Sequence, residues 1–335
     1  MARVLLLVAI ALAANALEVA QKLEQSGDDA DWAPKALRTL VLTTEIPFLA
    51  KEDRTITLQA GMPLKRASAD WCNMIGKYSA APSFRDCYLQ IFGTLCTQHI
   101  LDSISSRRAQ DLLQFVSQLL PMRYVQIGAY TAEDFLHRPE IRGSSGLLVE
   151  PVPFVFDRIR KHPDNVYENA AVCNTSGTVP FYTVHEDVDL TTGIDRRTGR
   201  YIHRYITQIS SLSKAYFVRN FEELVPGVDV AEYIRELAVP CYSVHDLLAK
   251  YPAFDHPDVV VIDAEGFDYA ILRQFNLVDP SVVVFEHAHL SQKEKAEALV
   301  YVHDAGLETF EEEENIVAIR RHVLLASCQM WAMEP

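Results

Sequence analysis

Positive charge is in short supply in this chain. Its 335 residues carry 31 Lys and Arg against 45 Asp and Glu, a formal net charge of −14. A surface that grips nucleic-acid phosphates needs clustered Lys and Arg, so the balance argues against such a partner. Glycine is scarce as well, at 13 residues, and no G-x-G-x-x-G follows any predicted strand. The nearest stretch, "GAYTAE" from Gly128, holds one glycine, so the fingerprint of a nicotinamide-binding turn is missing. The six cysteines include no C-x-x-C pair, which leaves no zinc site of the common kind. There is no internal repeat and no low-complexity tract. Beyond the first residues, no apolar run is long enough to span a bilayer. The composition is ordinary for a globular chain, 49% hydrophobic and 23% charged, and the length allows a large core.

The chain starts "MARVLLLVAIALAANA". Arg3, an apolar run from Val4 to Ala14 and the A-x-A at Ala14 to Ala16 read as a secretory signal peptide over residues 1–16. An uncleaved anchor is the alternative. The expectation is a protein of the secretory pathway (ER or Golgi lumen) or a secreted one, with no stable membrane span after cleavage. In an oxidising compartment cysteines can pair. Cys72, Cys87 and Cys96 cluster, and a bridge among them is expected with its connectivity open. Cys173 and Cys241 read instead as small buried thiols. Asn174-Thr175-Ser176 is an N-glycosylation sequon, expected to be unoccupied or to point outward.

Residues 17–120 read as mainly helical. The clearest helix is 107–121, with Leu112, Leu113, Val116 and Leu119 at helical spacing and Pro121 as the stop. From Arg123 the pattern changes to short apolar strands alternating with amphipathic helices. Core strands are predicted at 123–128, 145–150, 165–172, 258–265 and 281–288, with a side strand at 178–184. Helices are predicted at 153–161, 266–275 and 291–305. Continuous Val, Ile and Leu runs suit strands buried on both faces of a parallel sheet with right-handed crossovers. "LETFEEEENIVAIRR" (307–321) reads as a closing antiparallel hairpin with an acidic turn. Residues 185–240 break the rhythm and suit an insertion over the carboxyl edge of the sheet. The expected domains are an α/β unit over 121–322, the helical region before it, and a tail over 323–335.

Ligands of open α/β sheets sit outside the carboxyl ends of the strands. Gly128-Ala129-Tyr130-Thr131 stand there after the first strand, and Glu150-Pro151 after the second. Asp263, Glu265 and Gly266 follow the fourth, and Glu286, His287 and His289 the fifth. A glycine turn admits a ligand to the backbone, and a carboxylate ending the second strand can accept from a ribose diol. Asp263 and Glu265, two apart, would share one side of a strand. A plainer role for them is to cap the helix starting near Phe267.

In the order "YVQIGAYTAEDF", "LLVEPVPFVFDRIRK", "NVYENAAVCNTSGTVPFYTV", "SSLS", "VPCYSVHDLL", "VVVIDAEGFDYAILRQF" and "VVVFEHAH", the chain resembles the FkbM family of S-adenosylmethionine-dependent O-methyltransferases over about 121–320. The resemblance implies a Rossmann-like class I fold, a mostly parallel seven-stranded sheet with an antiparallel final strand. It implies methyl transfer to a hydroxyl of a glycan or small metabolite. Carried over residue by residue, it implies cofactor contacts from Gly128, Ala129, Glu150, Pro151, Ala170 and Ala171. It also implies a substrate side at Ser211 and Glu286. Asp263 is expected at the acceptor or cofactor end, Glu265 in orientation, and His287 as the alternative base. No metal is expected, a divalent ion on Asp263 and Glu286 being the minor reading. The chain departs from the family at Gln126, where the usual residue is an acid, and at Tyr130, where it is Asn. Thr131-Ala132 replace the next glycine. Gln126 and Tyr130 still fall at the cofactor. These departures motivate the alternative, a secreted binding protein on a scaffold that has lost catalysis.

Overall fold

The computed structural model describes residues 122–132, 144–203, 205–312 and 314–323, with short pieces between Leu40 and Cys96. The expected signal peptide, the helix at 107–121 and all but the first residue of the tail at 323–335 lie outside the described residues. The chain divides into two compact units, residues 121–320 and residues 1–120 with 321–335. In the second of these, strands β1 (Leu40–Thr43) and β2 (Thr55–Leu58) pair antiparallel, Leu40 opposite Leu58. Of the three clustered cysteines, Cys72 bridges Cys87, with Cα atoms 5.9 Å apart. Cys96 is also disulfide-bonded.

The 121–320 unit runs β3 (Arg123–Ile127), β4 (Ser145–Val149), α1 (Pro153–Phe156), β5 (Val166–Glu168), β6 (Ala171–Val172), β7 (Gly177–Val184), β8 (Ile194–Asp195) and β9 (Arg200–Tyr201). It continues with α2 (Lys214–Leu224), β10 (Ile234–Tyr242), α3 (Val244–Lys250), β11 (Val259–Ile262), α4 (Asp268–Leu272), β12 (Val282–Glu286), α5 (Gln292–Asp304), β13 (Leu307–Glu312) and β14 (Asn315–Arg320). Seven strands form the main sheet in the order β13-β14-β12-β11-β3-β4-β5. The pairs from β12 across to β5 are parallel, and β14 runs antiparallel to both neighbours. This is the parallel sheet with a closing antiparallel hairpin expected from the apolar runs, in the Rossmann-like arrangement that the family resemblance implies.

The runs explain the strands. Val259 to Ile262 and Val282 to Glu286 are buried at every position, so helices must cover both faces. Each such aliphatic side chain removed from water contributes roughly 1.5–3 kcal/mol. Strand order reverses between β3 and β11, because β4 lies to one side of β3 and β11 to the other. A crevice opens outside the carboxyl ends at such a point.

Two expectations are corrected. The strand predicted at 165–172 splits: Val166–Glu168 joins the main sheet, and Ala171–Val172 joins a second sheet ordered β6-β10-β7. β10 was missed inside the irregular stretch. Its sequence, IRELAVPCY, is mostly solvent-facing and holds charges and Pro240, so it lacks the apolar run that marks a core strand. It pairs antiparallel with β7 from Ile234 to Cys241, and just its last two residues meet β6. That register sets Cys241 beside Ala171 and places its Cα 6.1 Å from Cys173. The two are disulfide-bonded rather than separate thiols. The predicted helices shorten to α1 and α4 at 153–161 and 266–275, while α5 keeps its extent with a Ser291–Glu294 capping box.

Candidate active site

At the end of β3 the chain must turn while another strand end passes against it. Gly128 lies at φ +75°, and a Cβ there would sit 1.7 Å from the Asp263 carbonyl oxygen. Glycine is required because two backbones touch, not because a ligand approaches. The turn is fastened by Gly128 and Ala129 N–H groups donating to the Val149 carbonyl, and by Asp263 N–H donating to Ile127. Tyr130 and Ala132 follow at φ +46° and +55°, a conformation that disfavours side chains. Tyr130 is held there at both ends. Its N–H donates to Glu150 Oε2 at 2.9 Å, and its hydroxyl lies 2.8 Å from Thr207 Oγ1.

Glu150 ends β4 at 5% exposure. Its Oε1 accepts from Val152 N–H at 2.9 Å, which makes it the opener of α1 as well. Asn169 Nδ2 holds the same turn by donating to the Glu150 carbonyl at 2.7 Å. Burial pushes the Glu150 carboxyl up to about 7, against the two backbone N–H bonds that favour the anion. Each oxygen has spent one lone pair on the backbone, so one per oxygen is left for a ligand.

The "DAEGFD" turn after β11 does not keep Asp263 and Glu265 on one side of a strand. Glu265 takes φ +48° and Gly266 φ +94°, so the pair leaves the strand geometry. Neither acid caps α4, whose N-cap Phe267 has no side-chain bond. Asp268 does the fastening instead. It is fully buried, and its oxygens accept from Ala264 N–H at 3.1 Å and Gly266 N–H at 3.2 Å. Burial pushes its carboxyl up to about 7. From the insertion, Ser211 donates to the Glu265 carbonyl at 2.9 Å, and Tyr216 donates to Glu265 Oε2 at 2.5 Å. Burial, with Glu286 nearby, raises Glu265 to about 8, partly offset by the Tyr216 bond. His289 Nε2 stands 3.2 Å from Glu286 Oε1 and 3.8 Å from Glu265 Oε2. The hydrogen bond to Glu286 raises the imidazole above its ordinary value.

These turns surround one cleft of about 240 Å³ at the carboxyl ends of the strands. Of the predicted residues, Gly128, Tyr130, Glu150, Pro151, Ala170, Ala171, Asp263, Glu265 and Glu286 line it. Gln126, Ala129, Ser211 and His287 do not. Gln126 lies within β3, 3% exposed, between Leu148 and Val261. Ala129 is buried beneath the turn. Ser211 is 1% exposed and works as a bolt on Glu265, while its neighbours Ser210 and Leu212 face the cleft. His287 turns toward the closing hairpin, with Nε2 3.5 Å from Glu311. The imidazole gathered with the carboxylates is His289.

Residue-by-residue reading missed Tyr216, Asp268, Thr207 and Glu314. Asp268 had a signal, an acid three places after Glu265 at a helix start. Tyr216 had a weaker one, the third position after the Ser213 N-cap of α2. Thr207 sits in an insertion whose path no periodicity betrays. Among the described residues, five carboxylates line the cleft (Glu150, Asp263, Glu265, Glu286 and Glu314) and no Lys, Arg or His does.

A family model described as the methyltransferase FkbM domain matches residues 126–316. No curated protein matches the chain.

Proposed function

We propose that this chain, which belongs to the FkbM methyltransferase family, moves the methyl group of S-adenosylmethionine to a hydroxyl of a glycan or small metabolite. The observation that carries this reading is the charge of the cleft. Five acids and, among the described residues, no cationic side chain line it, which complements a ligand bearing a sulfonium and an ammonium rather than phosphates. The residues present fit that cofactor. Glu150 keeps one acceptor position on each oxygen for a ribose diol. Ala170, Ala171 and Val172 give a small-residue apolar wall for a flat base. The cofactor supplies an electrophilic methyl on sulfur.

The chain's own part is placement and charge. Asp263 is exposed within the cleft and is the acid given the acceptor's proton. Glu265 and Glu286 form the acceptor-side wall. Positioning supplies most of the rate gain. The disulfides Cys72–Cys87 and Cys173–Cys241 support a place in the secretory lumen or outside the cell. A second reading, a binding protein without transfer, is favoured by Tyr130, whose side chain stands in the cleft where the family resemblance leads one to expect Asn.

Calorimetric titration with S-adenosylmethionine and S-adenosylhomocysteine tests both. Micromolar binding that weakens in Glu150→Ala supports the cofactor reading, and transfer to a hydroxylated acceptor separates enzyme from binder. A folded chain that binds neither compound sinks the proposal.

A further inference from the structure

We propose that Glu265, Glu286 and His289 form a site for one divalent transition-metal cation, of the Mn²⁺ or Zn²⁺ kind, on the acceptor side of the cleft. Three separate stretches deliver the donors: the turn after β11, the last residue of β12 and the loop before α5. One donor atom from each lies within 4.8 Å of the other two. Donors bound to one cation through bonds of about 2.1 Å stand roughly 3.0–3.4 Å apart at right-angle to tetrahedral geometry. The separations of 3.2 and 3.8 Å at His289 Nε2 are therefore close to what one ion imposes.

A plain ion pair between His289 and Glu286 explains one of these distances and leaves another fact unexplained. Glu286 is 8% exposed, and its Oε2 is buried with no hydrogen-bond partner. A buried carboxylate oxygen left unpaired is strongly disfavoured, and His289 engages the other oxygen. A cation held by both Glu286 oxygens satisfies it. The donor set indicates which cation. Two carboxylates and one imidazole suit Mn²⁺ or Zn²⁺, whereas Mg²⁺ prefers oxygen and water throughout. The surroundings also hold the donors in place. Tyr216 donates to Glu265 Oε2 and sets its ring edge-on to the His289 imidazole at 4.9 Å, and Ser211 fixes the Glu265 backbone. Outer partners of this type orient metal ligands. Because Glu265 and Glu286 line the cleft, the open positions of the ion face it, and an acceptor hydroxyl coordinated there loses its proton more readily. That role rests on the methyl-transfer reading. Binding of the ion does not.

The test uses the full chain without cofactor or chelator, titrated with Mn²⁺ and followed by the paramagnetic resonance signal of the free ion. The expected result is one ion bound per chain at micromolar concentration. Glu286→Gln and His289→Ala should each weaken it by at least about ten-fold, with His287→Ala as the wild-type-like control. Circular dichroism checks each variant, and Glu265→Gln replaces any that does not fold. A folded wild type that leaves millimolar Mn²⁺ free overturns the proposal. So does binding that persists unchanged in Glu286→Gln and His289→Ala. A folded wild type that binds S-adenosylmethionine but no Mn²⁺ removes this site alone. The reverse pattern removes the methyl-transfer reading and keeps the metal.

Discussion

The two ends of the cleft each present a glutamate beyond a strand end, Glu150 buried and Glu265 partly buried, and they hold it in opposite ways. Glu150, at the β3–β4 end, is gripped by two backbone N–H groups, from Tyr130 and Val152. Backbone donors keep their proton and position at every working pH, so the pose of this carboxyl is fixed even though burial raises it to about 7. Glu265, at the β11–β12 end, meets side chains that ionise or rotate, Tyr216 and His289. One end is built to hold a ligand in a constant pose. The other has partners that can change charge or rotate, which suits the acceptor side under the proposed methyl transfer.

Joining the two ends is the sharpest way to break this contrast. Gly128→Ala drives a Cβ into the Asp263 carbonyl and penalises the positive φ, so the strand ends must part. Loss of about 3 kcal/mol or more is expected, read as a collapse of the denaturation midpoint. At the fixed end, Glu150→Ala should lower cofactor affinity by about 10–100-fold, the worth of charged hydrogen bonds, in calorimetry. Unchanged affinity removes the ribose assignment. At the responsive end, Asp268→Ala orphans the Ala264 and Gly266 N–H groups. It should destabilise the fold by about 1–3 kcal/mol in urea titration, and an unaffected protein would show that the turn stands without it.

The smallest effect tests the pH response. Glu150 and Asp268 have carboxyls raised from 4.5 and 3.8 to about 7, so the folded chain holds protons that the unfolded chain releases. Their stabilisation is full below about pH 4 and is lost as pH rises through about 7. Between those limits these two groups should lower the melting temperature by a few degrees as pH rises. Asp268→Asn should flatten that slope, and a slope identical to wild type counts against the assignment.

The main sheet was readable because its strands are unbroken apolar runs buried on both faces, as "VVVI" and "VVVFE" are. Glu150, Asp263, Glu265 and Glu286 were readable for the same reason, since a strand end followed by acids is a local pattern. The insertion was not. β10 hides its pairing behind charges and exposed positions, and its partner β7 lies some fifty residues earlier. The choice of His289 over His287 depends on how the loop after β12 rotates, which no spacing encodes. Gln126, Ala129 and Ser211 matched motif positions, yet in the folded chain they support the cleft from behind.

One wall of the cleft, Ala171 and Val172, belongs to β6, and the next residue is stapled to Cys241, 68 positions further on. During synthesis that wall has nothing to lock onto until nearly the whole insertion has emerged. The Cys173 end of that wall cannot be stapled before Cys241 has emerged, and closing the bridge consumes an oxidant. Protein made in a reducing cytosol would carry the same sequence with an unfastened wall, so the compartment chosen for production becomes a variable in any activity assay.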